Sequence, residues 1–286
     1  MTVCIALGCD SNADAPKIVM ASDTELSLGT TTTSELKARH LALNWAVMFA
    51  GDDVTYAEDV VEEARLVVDQ NPAVTSKKAA DAMTRAYRSI RRERLEEMYL
   101  GTYGWTMQEF LKQGPDIPST VHRQAILDAF ERYDLGCQFL VAGFSSLSAR
   151  HATIFEVHNP GVYVNRSLIN YSAIGSGSSN AIAYLSRQNQ ESKTPLSVAV
   201  YNAIVAKHLA EKAPGVGVET AAFILKRGQQ SDHDVRWLTN EVDDITNMWR
   251  QEEADIRPRE LSNRMSAILN PPAAMQLVPQ TSAWGQ

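Results

Sequence analysis

The feature that most constrains the fold of this chain is the order in which its hydrophobic period changes. Up to about residue 50 the apolar residues come in short strand-like runs: Val3 to Cys9, Lys17 to Asp23, Leu36 to Leu41 and Trp45 to Ala50. The polar stretch Asp10-Ser11-Asn12-Ala13-Asp14 reads as the turn between the first two. After Gly51 the period becomes helical, with Val54, Ala57, Val60, Val61, Ala64, Val67 and Val68 on one face and Asn71-Pro72 ending the run. Further helices are expected from Ser76 to about Leu100 and from Ser119 to about Tyr133, on either side of the glycine- and aromatic-bearing stretch Gly101 to Pro118. Strands return at Cys137 to Phe144, His151 to His158, Val162 to Asn165 and Tyr171 to Gly175, with Asn159-Pro160-Gly161 as one of the turns. Helices follow from Asn180 to about Gln190 and from Pro195 to about Lys212, then a strand at Thr220 to Lys226 and an acidic helix over 241–254 that contains Trp249. Blocks of strands followed by blocks of helices favour an α+β fold over a parallel βαβ sheet.

The 286 residues, 44% hydrophobic and 21% charged, suit a globular protein with one elaborated domain. A formal net charge of -7 disfavours nucleic-acid binding, and the densest basic stretch, Arg85 through Arg94, is offset by Glu93, Glu96 and Glu97 as on a solvated helix face. No window approaches the ~18 consecutive apolar residues of a membrane span, so no membrane partner and a cytoplasmic location are expected. Cys4, Cys9 and Cys137 lack C-x-x-C spacing and read as reduced core thiols, and the six histidines are scattered. No metal and no cofactor are expected. Gly175-Ser176-Gly177 is no dinucleotide loop, because Asn180 stands where the third glycine of G-x-G-x-x-G would be.

Thr2 is the first candidate for chemistry. If Met1 is removed it carries a free α-amine, whose ordinary pKa of about 7.7–8.0 leaves a useful fraction able to accept a proton at neutral pH. Hydroxyl nucleophile and amine base would then share one residue. With Met1 directly ahead of Thr2, exposure is expected to need nothing more than loss of that residue.

Thr2 at a strand start, Asp23 closing Ile18-Val19-Met20-Ala21-Ser22, Lys37, Phe49-Ala50-Gly51 at a strand-to-helix junction, and Ala173-Ile174-Gly175-Ser176-Gly177 before a helix resemble one family. It is that of the proteasome β-subunits and bacterial ring proteases, which are N-terminal-nucleophile hydrolases. The resemblance covers roughly residues 2–90 and 137–238. It implies a four-layer αββα sandwich of two antiparallel sheets between helical layers, as a single domain over 1–286 with a helical insertion at about 92–136 and a C-terminal extension at about 255–286. It further implies a threonine peptidase that assembles into a ring or related oligomer, takes peptide or unfolded protein as substrate, and leaves room for an ATPase partner.

Within that resemblance each residue has a physical role. The Lys37 cation favours the deprotonated hydroxyl of Thr2, and Asp23 orients Lys37. The Gly51 N–H is a donor for the developing oxyanion, Ser176 contacts the terminal amine, and Phe49 shortens the specificity pocket so that small or slender side chains are preferred. Cys4 lies on the face of Thr2 but is internal and is assigned to packing. In one place the chain departs from the family: Lys212-Ala213-Pro214-Gly215-Val216-Gly217-Val218-Glu219 lacks the Asp and Ser that members place near the amine, so either Glu219 or backbone carbonyls substitute or the site is weak. An amidase acting on small amides and a noncatalytic ring subunit are the competing functions.

Overall fold

A computed structural model describes residues 2–11, 16–28, 31–34, 36–51, 54–68, 74–113, 120–145, 151–228 and 235–252. The chain divides into two units, residues 1–242 and 243–286; of the latter, 243–252 are described and are helical. The expected turn at 10–14, the helix end at Asn71-Pro72 and the tail beyond 252 lie partly or wholly outside the described residues.

In the first unit, β1 (Val3–Cys9), β2 (Lys17–Asp23), β10 (Tyr171–Gly175), β11 (Thr220–Lys226) and β12 (Val235–Leu238) form an antiparallel sheet in the order β10-β1-β2-β11-β12. A second antiparallel sheet runs β5 (Ala38–Ala42), β6 (Trp45–Gly51), β7 (Cys137–Gly143), β8 (Thr153–His158) and β9 (Val162–Asn165) in sequence order. A separate hairpin joins β3 (Glu25–Leu28) to β4 (Thr31–Ser34). The helices are α1 (Val54–Val67), α2 (Ser76–Leu95), α3 (Met107–Gln113), α4 (Thr120–Arg132), α5 (Ser178–Arg187) and α6 (Leu196–Ala210).

Side-chain parity along the strands builds the layers. On β6, Trp45, Val47 and Phe49 pack with Ala57, Val60 and Ala64 of α1 and Met83 and Tyr87 of α2, whereas Ala46, Met48 and Ala50 face the first sheet. On β1, Cys4 and Ala6 join that same inter-sheet core, and the alternate residues Val3, Ile5 and Leu7 turn toward the layer of α5 and α6. Burial on both faces explains why β1 is an unbroken apolar run. The result is an α+β sandwich in the order helix, sheet, sheet, helix, as the resemblance implies. α6 is apolar nearly all round because it is buried over most of its surface.

Three local features were not anticipated. In the β3–β4 hairpin, β3 alternates over only four residues, Glu25-Leu26-Ser27-Leu28, and β4 is a Thr-rich run without apolar residues, although threonine suits strands. The helix from Ser76 ends at Leu95 and continues as a π-turn over Glu96–Leu100 and a 3₁₀ turn over Gly101–Tyr103, which stop at Gly104 in the left-handed region. Beyond it, α3 opens with a capping box: Glu109 Oε2 accepts from the Thr106 N–H at 2.7 Å, and the Glu109 N–H donates to Thr106 Oγ1 at 3.3 Å. Phe110 of α3 packs with Leu95, Leu100, Ile126 and Phe130, so this helical region carries a small core of its own.

Candidate active site

Strand ends gather the candidate residues. The pairing of Cys4 with Ser22 and of Val3 with Gly175 sets Thr2, one step before β1, beside Asp23 at the end of β2 and Gly175–Ser176 at the end of β10. Lys37 immediately precedes β5, where its carbonyl accepts from the Phe49 N–H at 3.2 Å, and Gly51 ends the neighbouring β6. Residues as far apart in sequence as 2, 23, 37, 51 and 176 therefore meet at one edge of the sandwich.

The hydroxyl of Thr2 donates to Asp23 Oδ1 and accepts from Lys37 Nζ. Lys37 Nζ also donates to Asp23 Oδ2 at 2.8 Å, and both side chains are at most 2% exposed. Two backbone donors complete the carboxylate: the Val3 N–H on Oδ1 at 2.9 Å and the Gly217 N–H on Oδ2 at 3.2 Å. Asp23 is thus held at both oxygens, and the ammonium it pairs with is aimed at the Thr2 oxygen. A cation at that oxygen stabilises the alkoxide form.

Thr2 opens into a cavity of about 540 Å³ whose wall includes Ala50, Gly51, Gly136, Gln138, His158, Gly175 and Ser176. Two glycines are dictated by close approach: a Cβ on Gly175, at φ +90°, would sit 2.2 Å from the Thr2 carbonyl oxygen, and one on Gly51 would sit 2.4 Å from the Gly136 carbonyl oxygen. Ser176 Oγ lies 3.4 Å from both the Thr2 and the Pro214 carbonyl oxygens, so its described contact with Thr2 is to the carbonyl. Phe49 joins neither the cavity wall nor the Thr2 network. Strand parity turns its ring into the core against α1, beneath the guanidinium of Arg39. Cys4 is fully buried, burial pushes its thiol pKa up, and its Sγ donates to the Phe49 carbonyl at 3.3 Å. That is a packing residue, not a nucleophile.

Of the two substitutes expected in the 212–219 loop, Glu219 accepts from Thr24 Oγ1 at 2.9 Å, while the backbone reaches the site through the Gly217 N–H and the Pro214 carbonyl. Two polar groups were missed from sequence. One is Glu156, which accepts from His158 Nε2 at 2.7 Å, from Arg166 Nε at 2.8 Å and from the Ser172 hydroxyl, and places His158 in the cavity wall. Burial alone would raise its pKa, but these bonds outweigh it and bring the carboxyl down to about 2. The other is Lys207, wholly buried on α6. A lone acid in the apolar strand Thr153–His158 and a lone cation in an apolar helix were the available signals. Among the described residues no group of three or more His, Cys, Asp or Glu could hold a metal, and no helix is long and apolar enough to cross a membrane.

No family model matches the sequence, and no curated protein matches it. Solved structures do match the fold. An Anbu (Gly-1) mutant from Hyphomicrobium sp. strain MC1 aligns with TM-score 0.61 at 13% identity, covering 89% of this chain and 96% of that chain. Anbu from Yersinia bercovieri, described as an ancestral β-subunit, gives 0.60 at 14% identity over 89% and 96%. A helical assembly of the Anbu complex from Pseudomonas aeruginosa gives 0.61 at 16% identity over 96% and 100%. At these identities the likeness is one of fold.

Proposed function

We propose that this chain, a β-subunit-like sandwich, is a threonine peptidase whose nucleophile is Thr2 once Met1 has been removed. The observation that carries the reading is the Thr2 hydroxyl set between the Lys37 ammonium and the Asp23 carboxylate, on a residue that lines a cavity. In the reaction the free amine accepts the hydroxyl proton as Oγ attacks the scissile carbonyl carbon. Lys37 stabilises the oxygen from which the proton departs, and Asp23 holds Lys37 in place. The Gly51 N–H is assigned to the oxyanion and Ser176 to the backbone of Thr2. The protonated amine then gives its proton to the leaving nitrogen as the C–N bond breaks, leaving an ester on Thr2. Water, deprotonated by the same amine, attacks the ester and releases the acid.

Self-association into a ring or related oligomer belongs to the same proposal, supported by the Anbu structures, one described as an ancestral β-subunit and another as a helical assembly. Peptides are the substrate class, a cytoplasmic location fits Cys4, Cys9 and Cys137 as reduced thiols, and the proposal leaves room for an ATPase partner. The test is intact-mass analysis with an epoxyketone or β-lactone: the Met1-free chain gains one adduct on Thr2, and Thr2→Ala abolishes adduct and turnover together. A Met1-free chain that stays unlabelled would assign it to the noncatalytic class.

A further inference from the structure

Lys207 is a buried cation that the proposed reaction does not use. It lies near the C-terminus of α6 with its side chain 0% exposed, although burying an ammonium is costly unless it is paired. Its Nζ donates to Glu211 Oε1 at 2.8 Å and to the Val218 carbonyl at 2.6 Å. Glu211 Oε1 is in turn 2.6 Å from His208 Nδ1. Burial lowers the Lys207 pKa; Glu211 and then Asp23 oppose that, and Lys37 adds to it, which places the ammonium within the field of the Thr2 centre.

The carbonyl that Lys207 holds belongs to the segment that touches Asp23. Val218 follows Gly217, whose N–H donates to Asp23 Oδ2 at 3.2 Å. Gly217 fits there only because it lacks a side chain: a Cβ would come within 2.4 Å of Glu25 Cβ and 3.2 Å of Asp23 Oδ2. On its other side the segment leans on the turn after β10. A Cβ on Gly177 would meet Val216 Cγ2 at 3.0 Å, and the Pro214 carbonyl lies 3.4 Å from Ser176 Oγ. The loop therefore touches the site at Asp23 and Ser176, and the Lys207 bond to Val218 ties it to α6.

We propose that Lys207 is a positioning residue for the Thr2 centre: by gripping the Val218 carbonyl it fixes the Gly217 N–H on Asp23, and so fixes the carboxylate on which Thr2 and Lys37 both depend. In this chain a helix-borne lysine acts on Asp23 through the loop backbone. The inference rests on the reading of Thr2 as nucleophile.

The test is the acylation of the Met1-free full-length chain by a peptide β-lactone, followed by intact mass. It yields a saturating rate and a half-saturation concentration, normalised to protein that is folded by near-UV circular dichroism. Lys207→Met, unbranched and of similar length, is expected to lower the saturating rate about tenfold with half-saturation changed less than about twofold. Lys207→Gln keeps an N–H donor on a shorter arm and is expected to fall between; it also serves if the Met variant does not fold. A purely structural lysine would leave the saturating rate of folded protein unmoved. Equal saturating rates in wild type and variants, or a change in half-saturation alone, overturn the assignment of Lys207 while leaving Thr2 in place. A wild-type chain that does not react overturns both.

Discussion

Two buried carboxylates in this sandwich each accept from a hydroxyl, and they differ in what else they hold. Asp23 accepts from Thr2, from two backbone N–H groups and from Lys37, and Lys37 donates to the same hydroxyl oxygen. Glu156 accepts from Ser172, His158 and Arg166. In the first set the cation is aimed at the hydroxyl oxygen of a residue that lines the cavity. In the second, the described bonds of His158 and Arg166 run to the carboxylate, and the Ser172 side chain is buried between the sheets. On the proposed reading, a hydroxyl hydrogen-bonded to a carboxylate is not by itself enough to make a nucleophile. A cation on the oxygen and a place in the cavity wall distinguish Thr2 from Ser172 on that reading.

The largest effect expected from this contrast is that of Thr2→Ala, which should lower turnover by more than about a thousandfold, measured with peptide substrates after confirming that Met1 is absent. Asp23→Asn comes next. It leaves Lys37 buried against a neutral partner and should cost about 3–5 kcal/mol by urea unfolding, with acylation of Thr2 lost as well. Glu156→Gln should leave Thr2 acylation in place and act on acid stability. Because the folded pKa of Glu156 is depressed from 4.5 to about 2, its contribution is present above the ordinary carboxylate pKa and fades as pH falls through that interval. The variant should be less stable by about 2–3 kcal/mol at pH 6, with the gap closing toward pH 2. Ser172→Ala should be the mildest, about 1 kcal/mol in stability, with the β-lactone rate at Thr2 unchanged.

Much of the frame was legible because strand periodicity and site chemistry coincide. β1, β2 and β11 are apolar runs with polar or glycine punctuation, and Asp23 and Gly51 are strand-end residues where the period breaks. Juxtaposition of Thr2, Asp23 and Lys37 could be expected only through the family resemblance, since nothing local brings residues 2, 23 and 37 together. The capping box Thr106…Glu109 was present in the sequence and would have revealed α3. Along β6 the parity that sends Ala50 toward the first sheet also sends the Phe49 ring toward α1, which a reading of residue order alone passes over. The grip of Lys207 on Val218 spans a helix end and a loop, so its only sequence trace is a charge in an otherwise apolar helix.

The most direct test is peptide mapping of the intact protein after treatment with a β-lactone. One adduct on an N-terminal Thr2, with Ser172 and the three cysteines unmodified, is the expected result. An adduct on any other residue, or turnover that persists in a chain still carrying Met1, would contradict the assignment of Thr2 as nucleophile.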